Sequence, residues 1–308
     1  MKFELGYVAQ NLSMGISPSH TITVANFNKL HTEKEKKEKL LQIAKENLNN
    51  TLEILKWNAE HDIFVYRFSS KLIPLATWNG FSWDYIKTLK KEWKQIGDFV
   101  KKNKMRVSAH PDHFSVINTP YDEVFNNSVK DFIYHQQFLK AMGLEKEAKL
   151  VTHVGGKYGD KEKGKKLFIH RFKELPEEVQ KIILLENDDK VYNSEDVLEI
   201  CKKINIPMVL DVHHESINPS TLNRKTVIEK AFGTWKEEDR VPKIHFSSPR
   251  DEKNKRAHAD YIYPEDFFEF LKIAKKINQD CDIMLEAKAK DLSLLRLREE
   301  IRKTLPVY

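Results

Sequence analysis

Imidazole and carboxylate side chains stand directly after short apolar runs in this sequence. The clearest case lies between Pro207 and Glu215, where Met-Val-Leu leads into Asp211 and His214. A run of this length is typical of a strand buried on both faces of a parallel α/β sheet. Ligands of such folds bind at the carboxyl ends of the strands. Asp211 and His214 are therefore candidate metal ligands, and His213 between them is interpreted as a core residue.

Similar groups end six of the predicted strands. The candidate ligands are His110, His153, Glu186, Asp211, His214, His245 and Glu286, with His258 in the loop after the seventh strand. A single histidine at such a place is more often a hydrogen-bonded core group than a ligand. Eight ionisable groups in one pocket are costly to bury unless metal charge compensates them.

The donor types narrow the choice of metal. Imidazole and carboxylate without thiolate suit Zn²⁺, Mn²⁺ or Fe²⁺. Eight donors exceed the need of one ion, since a catalytic zinc uses about three protein ligands and a water. We therefore expect two or three ions, with Glu186 and Asp211 as bridges. Ions about 3.5–4 Å apart favour an in-line displacement at phosphorus, which predicts phosphodiester hydrolysis.

Other polar groups near these strand ends have two interpretations each. Lys243 stands two residues before His245 and either faces the metals or pairs with a carboxylate. Ser247 and Ser248 either bind a backbone phosphate of a substrate or cap the next helix. Asn187 either supports a ligand or belongs to a turn. The residues predicted to be catalytic are Glu186, Lys243 and His245.

Strand patterns alternate with helix patterns along the whole chain. Apolar runs predict strands at 3–8, 63–68, 105–109, 150–153, 182–189, 207–211, 241–248 and 282–286. Helical spacing predicts helices at about 32–59, 83–102, 121–142, 194–204 and 292–304, a Lys-rich helix ending near 175, and a helix starting at Pro264. No Gly/Ser linker interrupts the alternation. The order predicts one TIM (β/α)₈ barrel domain over residues 1–308, or a seven-stranded relative.

Composition restricts the class of protein. The 308 residues are 40% hydrophobic and 32% charged, and no apolar run approaches the roughly 18 residues that span a bilayer. The amino terminus does not resemble a secretory signal. Cys201 and Cys281 lie outside any metal-binding spacing, so we expect reduced thiols in a cytoplasmic protein with no membrane contact. A net charge of +6 is compatible with a polyanionic substrate.

Nine short motifs together resemble one protein family, the UV damage endonucleases. They are GYV, YRFSS, HPDHF, THVGG, LENDD, DVHH, KIHFSSP, AHADYI and LEAKAKD, and they run nearly from end to end of the chain. The resemblance implies a barrel similar to those of endonuclease IV and xylose isomerase. It also implies a DNA repair enzyme that nicks damaged double-stranded DNA 5′ to cyclobutane pyrimidine dimers and (6-4) photoproducts, and in some members at abasic sites.

The resemblance carries over to individual residues. It implies the same eight metal ligands around two or three divalent ions, most often manganese, with zinc, magnesium or cobalt as alternatives. Lys243 matches a lysine that the family can carry in a carboxylated form. Tyr7 and Asn11 match positions near the lesion pocket. From these matches we expect a monomer that works on nucleoid DNA in the cytoplasm.

The chain departs from the family pattern at two places. The pair that probes damage is usually Gln followed by Tyr or Phe, whereas this chain has His113 and Phe114. We expect Phe114 to wedge into the base stack and His113 to donate a hydrogen bond. Trp78 stands where the family is expected to carry a histidine near the metals, so either metal occupancy falls or Trp78 stacks on the substrate.

Two other functions remain open from the sequence. A xylose-isomerase-like sugar isomerase or epimerase would use the same barrel, but with fewer histidines, more carboxylates and one or two ions. The set of strand-end histidines favours the nuclease. A catalytically inactive DNA-binding barrel is the second alternative, and it rests on Trp78.

Overall fold

Eight parallel strands close into a barrel in the computed structural model, which describes residues 1–304. The strands are β1 (Phe3–Val8), β2 (Val65–Arg67), β3 (Arg106–Ala109), β4 (Lys149–His153), β5 (Ile183–Glu186), β6 (Met208–Asp211), β7 (Lys243–Phe246) and β8 (Cys281–Leu285). Each strand pairs with the next, and β8 pairs with β1. The predicted (β/α)₈ barrel is confirmed and the seven-stranded alternative is wrong. The single-domain assignment over 1–308 stays a prediction, and residues 305–308 lie outside the described residues.

Helices surround the barrel. They are α1 (Val24–Phe27), α2 (Glu33–Glu60), α3 (Tyr85–Thr88), α4 (Lys90–Lys102), α5 (Asp122–Ala141), α6 (Lys161–Phe172), α7 (Glu177–Gln180), α8 (Ser194–Ile204), α9 (Val212–Ile217), α10 (Arg224–Gly233), α11 (Pro264–Ile277) and α12 (Lys290–Thr304). The helix predicted over 83–102 is two helices, because the chain leaves helical geometry at Leu89. Gly143 ends α5 with a φ of 67°, a conformation that favours glycine.

The barrel interior explains which side chains reach the site. Val151, Leu184 and Val209 form a small buried cluster with Trp235, separate from the larger core between strands and helices. Side chains two residues apart on a strand face the same side. His153, Glu186 and Asp211 each follow one of these three by two positions. They therefore lie above the apolar cluster, at the carboxyl ends of the strands, which we call the mouth of the barrel.

Two further sequence predictions concern the cysteines and the character of the helices. Cys201 and Cys281 are buried and unpaired, as expected for reduced core thiols. Among the helices of residues 1–304, none combines the length and the apolar character required to cross a bilayer.

Candidate metal centre

Four of the predicted ligands are direct pairing partners on neighbouring strands. His153 of β4 is the direct partner of Glu186 of β5, and Asp211 of β6 is the partner of His245 of β7. Paired positions on adjacent strands lie side by side and point the same way. Strand pairing alone therefore brings four of the eight predicted ligands together at the mouth.

Glu186 is the common member of three donor groups. The groups are His110, His153 and Glu186; Glu186, Asp211 and His214; and Glu186, His245 and Glu286. Within each group one ligand atom of every residue lies within 4.8 Å of the others. The Glu186 carboxylate oxygens lie 2.7 Å from His245 Nδ1, 3.2 Å from His110 Nε2 and 3.6 Å from His153 Nε2. Three such groups that share one carboxylate form an arrangement suited to bridged ions.

Backbone carbonyls fix the orientation of three of the imidazoles. The Nδ1 atom lies 2.8 Å from Pro111 O in His110, 2.9 Å from Asn187 O in His214 and 2.8 Å from Glu286 O in His258. Since a carbonyl accepts, Nδ1 carries the proton in each ring. Nε2 then keeps a free lone pair, which is the tautomer that metal-binding histidines adopt.

Several buried polar atoms at the centre have no partner within the described chain. They include Asp211 Oδ2, His153 Nδ1 and His245 Nε2. Asp211 and His245 are themselves fully buried, so leaving such atoms unpaired costs free energy. An oxygen and imidazole nitrogens are donors that divalent cations accept. The residues present therefore fit divalent metal ions.

The electrostatics of the centre are tightly coupled. Burial alone would raise the pKa of Glu186, but the imidazoles of His245 and His153 hold it well below its usual range. Burial raises the pKa of Asp211 to about 6, and Glu186 and Glu286 add to this rise. Burial opposes protonation of His214, yet Asp211 and Glu186 raise its pKa to about 9. Closely spaced carboxylates that raise one another's pKa form a site that favours added positive charge.

The segment after β6 is helical, which the sequence analysis did not predict. Asp211 caps α9, because its side chain accepts a hydrogen bond of 2.7 Å from the backbone N–H of His214. Asn187 holds Asp211 from the other side through reciprocal bonds of 2.9 and 3.0 Å. These bonds to the backbone of Asp211, a predicted ligand, agree with the interpretation of Asn187 as a supporting residue.

His258, Lys243 and the two serines lie around the cluster. His258 belongs to none of the three donor groups, but its Nδ1 lies 3.9 Å from Glu286 Oε2.

Lys243 Nζ donates to Ser108 Oγ at 3.1 Å inside the barrel. Its pKa falls to about 8 because of burial and three nearby arginines, opposed by Asp282. Ser248 Oγ accepts from the N–H of Tyr263 at the start of α11, which matches the capping interpretation, whereas Ser247 Oγ is buried without a partner in the described chain.

The predicted substrate residues fall into a buried pair and an exposed pair. Tyr7 and Asn11 are fully buried, and Asn11 Nδ2 donates to the Tyr7 hydroxyl at 3.0 Å. His113 and Phe114 lie in the loop after β3, with 4.0 Å between their ring centroids. Phe114 is 76% exposed, which is unusual for so large an apolar ring. The exposed pair is free to meet a partner, whereas the buried pair supports the β1 loop.

Trp78 lies away from the ligands. Its ring packs edge-on against Phe27, with 5.6 Å between centroids. It lines a separate cavity of about 330 Å³ together with Phe81 and Trp83. Within residues 1–304, none of the three donor groups includes Trp78.

Two cationic residues near the cluster were not assigned from the sequence. Arg67, at the end of β2, forms an ion pair with Glu286. Lys290, at the start of α12, lines the same cavity as Arg67 and Glu286. Both residues belong to motifs noted in the sequence, YRFSS and LEAKAKD. They lie next to Glu286 because β1 and β8 pair to close the barrel. The residues of the two motifs do not by themselves predict this proximity.

Similarity to known proteins extends over almost the full chain. The family model described as UV-endonuclease UvdE matches residues 3–307. The UV DNA damage endonuclease of Bacillus cereus (strain G9842) is 39% identical over 302 residues, covering 98% of this chain and 95% of that protein. The protein of the same name from Bacillus pumilus (strain SAFR-032) is 41% identical over 303 residues, covering 98% and 94%.

Solved structures add the fold. The crystal structure of SacUVDE has a TM-score of 0.89 and 32% identity, and the match covers 98% of this chain and 99% of that one. The 3-keto-D-glucoside 4-epimerase YcjR from E. coli has a TM-score of 0.55 at 14% identity, covering 81% and 94%, so this likeness shows the barrel fold alone. Since the family model and relatives about 40% identical match nearly every residue, this chain is an endonuclease that belongs to the UV-endonuclease UvdE family.

Proposed function

We propose that this protein is a metal-dependent DNA repair endonuclease that incises the backbone 5′ to UV photoproducts. The expected lesions are cyclobutane pyrimidine dimers and (6-4) photoproducts, and abasic sites are a further candidate. The single observation that carries the proposal is the sharing of Glu186 by three donor groups at the mouth. The names of the relatives, UV DNA damage endonucleases, support the substrate class.

The proposed ligands are the eight residues named from the sequence. Glu186 would bridge, His110 and His153 would hold one ion, Asp211 and His214 a second, and His245 with Glu286 a third, with His258 beside Glu286. Two or three divalent ions, manganese first among them and zinc, magnesium or cobalt as alternatives, would supply Lewis-acid charge for displacement at phosphorus. Backbone carbonyls bind Nδ1 of His110, His214 and His258, so the Nε2 atoms are already oriented to bind metal without rearrangement.

Arg67 and Glu186 would act on either side of the reacting phosphate. Glu186 is held in its ionised form by the surrounding imidazoles, so it keeps its negative charge toward the ions over the working pH range. Arg67 holds Glu286 in place by an ion pair across the mouth. We assign Glu186, Lys243 and His245 as catalytic residues, as predicted from the sequence; His245 Nδ1 bonds to Glu186, and Lys243 lies two residues before His245 inside the barrel.

The exposed loop residues would recognise the lesion. Phe114 is exposed and borders the mouth, so its ring is available to insert where bases are already unstacked by damage. His113 lines the cavity of about 480 Å³ beside His110 and Glu286. Tyr7 and Asn11 would support the β1 loop that forms part of this surface, and Ser247 and Ser248 the opposite loop.

Lys243 is compatible with the carboxylated form that the family resemblance suggests. Burial, helped by Arg240, Arg67 and Arg106 and opposed by Asp282, lowers the pKa of its amine, so a larger fraction of the amine is neutral and able to react with CO₂. The resulting carbamate would turn a positive group into a negative one facing three arginines. Mass measured on the protein at neutral pH and after mild acid treatment, which releases carbamates, tests this assignment.

Nicking of irradiated plasmid tests the main proposal. Supercoiled plasmid, irradiated or not, is incubated with the protein and Mn²⁺. We expect nicking of the irradiated plasmid alone and its loss in Glu186→Gln. Glu178→Gln, an exposed carboxylate on the outer surface, is the matched control and should nick like the unaltered protein.

The same assay separates the alternatives. Absence of nicking together with ketose–aldose conversion would overturn the proposal in favour of the sugar isomerase or epimerase. DNA binding without nicking and with one ion or none per chain would favour the inactive barrel. A 5′-labelled duplex with one cyclobutane dimer then locates the cut, which we expect directly 5′ to the lesion.

We further propose that the protein acts as a monomer on nucleoid DNA in the cytoplasm. Light scattering of the purified protein, with and without duplex DNA, tests the monomer. A fluorescent fusion imaged before and after irradiation tests the location.

A further inference from the structure

A basic pocket lies beside the metal centre and is not part of it. We call it the Lys290 pocket; its volume is about 480 Å³, and its lining includes Gln10, Arg67, Lys71, His113 and Lys290. His110 and Glu286 form the border that it shares with the metal centre. A molecule held at the metals would therefore extend directly into this pocket.

Positive charge in the Lys290 pocket exceeds the negative charge that faces it. Lys290 is half-buried, and within residues 1–304 it has neither a side-chain hydrogen bond nor an ion-pair partner. Arg67 is paired with Glu286, which His245 and His258 also approach at 3.2 and 3.9 Å. The lining thus has three cations, Arg67, Lys71 and Lys290, against two carboxylates, the shared Glu286 and the exposed Asp112. A partly buried cation is stabilised by an anion, so the pocket favours an anionic ligand.

The pKa of Lys290 agrees with this geometry. Burial lowers the pKa of its ammonium, and Arg67 lowers it further, against the opposing effect of Glu286. Burial is the largest of these effects, so the direction agrees with a partly desolvated ammonium group beside a second cation.

The backbone holds Lys290 in an unusual conformation. Its φ is 49°, in the left-handed region that side chains other than glycine, asparagine and aspartate rarely adopt. The preceding N–H of Ala289 donates to Asp260 O at 2.9 Å. The following Asp291 is fully buried and accepts from the N–H groups of Leu12 and Ser13 at 2.6 and 3.0 Å. Such conformations persist where the surroundings fix them, and they concentrate at functional sites.

We propose that Lys290, with Lys71 at the open side of the pocket, binds a backbone phosphate of the DNA next to the one that is cut. Lysine is a point-charge binder of phosphate, and neither Lys290 nor Lys71 belongs to a donor group of the adjoining metal centre. Bound there, the neighbouring phosphate would fix the register of the strand over the metals. Asp291 is then a positioning residue, because it ties the segment that carries Lys290 to the β1 loop. This inference rests on the proposed function for the identity of the polyanion.

DNA binding without turnover tests the phosphate subsite. Protein freed of metal by a chelator is titrated into a labelled duplex with one cyclobutane dimer at several salt concentrations. We expect Lys290→Gln to bind about tenfold more weakly and to lower the salt slope by about 1, as loss of one phosphate contact does. Lys290→Arg should retain most of the affinity. Lys288→Gln is the matched control, because Lys288 is an exposed lysine of the same motif outside the pocket lining.

Uncharged phosphate analogues identify the contact. The titration is repeated with duplexes that carry a single methylphosphonate at successive positions around the lesion. At one position other than the scissile phosphate, the unaltered protein should lose about tenfold in affinity while Lys290→Gln loses nothing more. Equal losses for both proteins at every position would overturn the subsite. Melting curves of both Lys290 variants establish that they are folded.

The outcomes separate this inference from the proposed function. If the unaltered protein binds DNA but does not nick irradiated plasmid, the proposed function fails while the methylphosphonate series still decides the subsite. If it nicks and Lys290→Gln binds like Lys288→Gln, the subsite fails alone. If it binds no DNA at all, both fail.

Discussion

Glu186 belongs to all three donor groups, so the charge of one side chain organises the whole metal centre. Among its imidazole neighbours, His110 and His214 are oriented by backbone carbonyls at Nδ1, and His245 Nδ1 bonds to Glu186 itself. Residue types at strand ends were enough to predict from the sequence that these side chains meet, because parallel strands present their carboxyl ends at one edge. The burial of Tyr7 and Asn11 was not predictable in this way, since it depends on Asn58 of α2 accepting from the Tyr7 hydroxyl.

Metal content distinguishes central from peripheral ligands. His245 is fully buried and contacts both Glu186 and Glu286, whereas His258 is half-buried and lies beside Glu286 and the rings of His213 and His214. We expect His245→Ala to lose at least one ion per chain together with most of the activity, and His258→Ala to lose one at most. Elemental analysis of the purified variants measures this. Unchanged metal content in His245→Ala would remove it from the ligands.

Phe114 provides a test of recognition that is separate from stability. Its ring is 76% exposed, so truncation removes little buried area and should leave the melting temperature nearly unchanged. We expect Phe114→Ala to reduce the preference for damaged over intact duplex about tenfold, with metals retained, because unstacked bases lose their wedge. Competition binding measures the preference. Tyr121→Ala, another exposed ring of the same connection, is the control, and equal effects of the two would argue against a wedge.

The sequence predicts the strands and long helices better than the connections between them. The strands and long helices were predictable, because burial on both faces and helical spacing leave clear patterns in the residues. Helix α9 was not, because Asp211 is both the last residue of β6 and the cap of α9, and the apolar run does not reveal the second role. The break at Leu89 was also hidden, since Leu89 is itself fully buried and continues the apolar spacing of the predicted helix.

Close packing between α4 and the end of α5 depends on one glycine. A Cβ added at Gly97 would lie 1.7 Å from Met142 O, which cannot move without shifting the backbone. We expect Gly97→Ala to lower the free energy of unfolding by about 1–3 kcal/mol, as overpacked substitutions do. Gly233→Ala is the matched control, because nothing lies within 4 Å of its added Cβ. Denaturant unfolding of both variants measures the difference, and equal stabilities would contradict the close contact.

Closure of the barrel brings together ligands that are far apart in the chain. His110 and Glu286 belong to opposite ends of the ligand series, yet both contribute to donor groups that contain Glu186. Pairing of β8 with β1 also brings Lys290 and Asp291 next to the β1 loop and the end of β2. Closure of the barrel therefore places three features side by side at one mouth. They are the predicted metal ligands, the Lys290 pocket and the exposed ring of Phe114.

Anomalous diffraction from crystals of the protein grown with Mn²⁺, recorded at the manganese absorption edge, tests the shared metal centre most directly. We expect two or three peaks around Glu186, between the side chains of the three donor groups. We also expect fewer peaks in Glu186→Gln. A single peak, or peaks remote from Glu186, would contradict a shared metal centre at the mouth of the barrel.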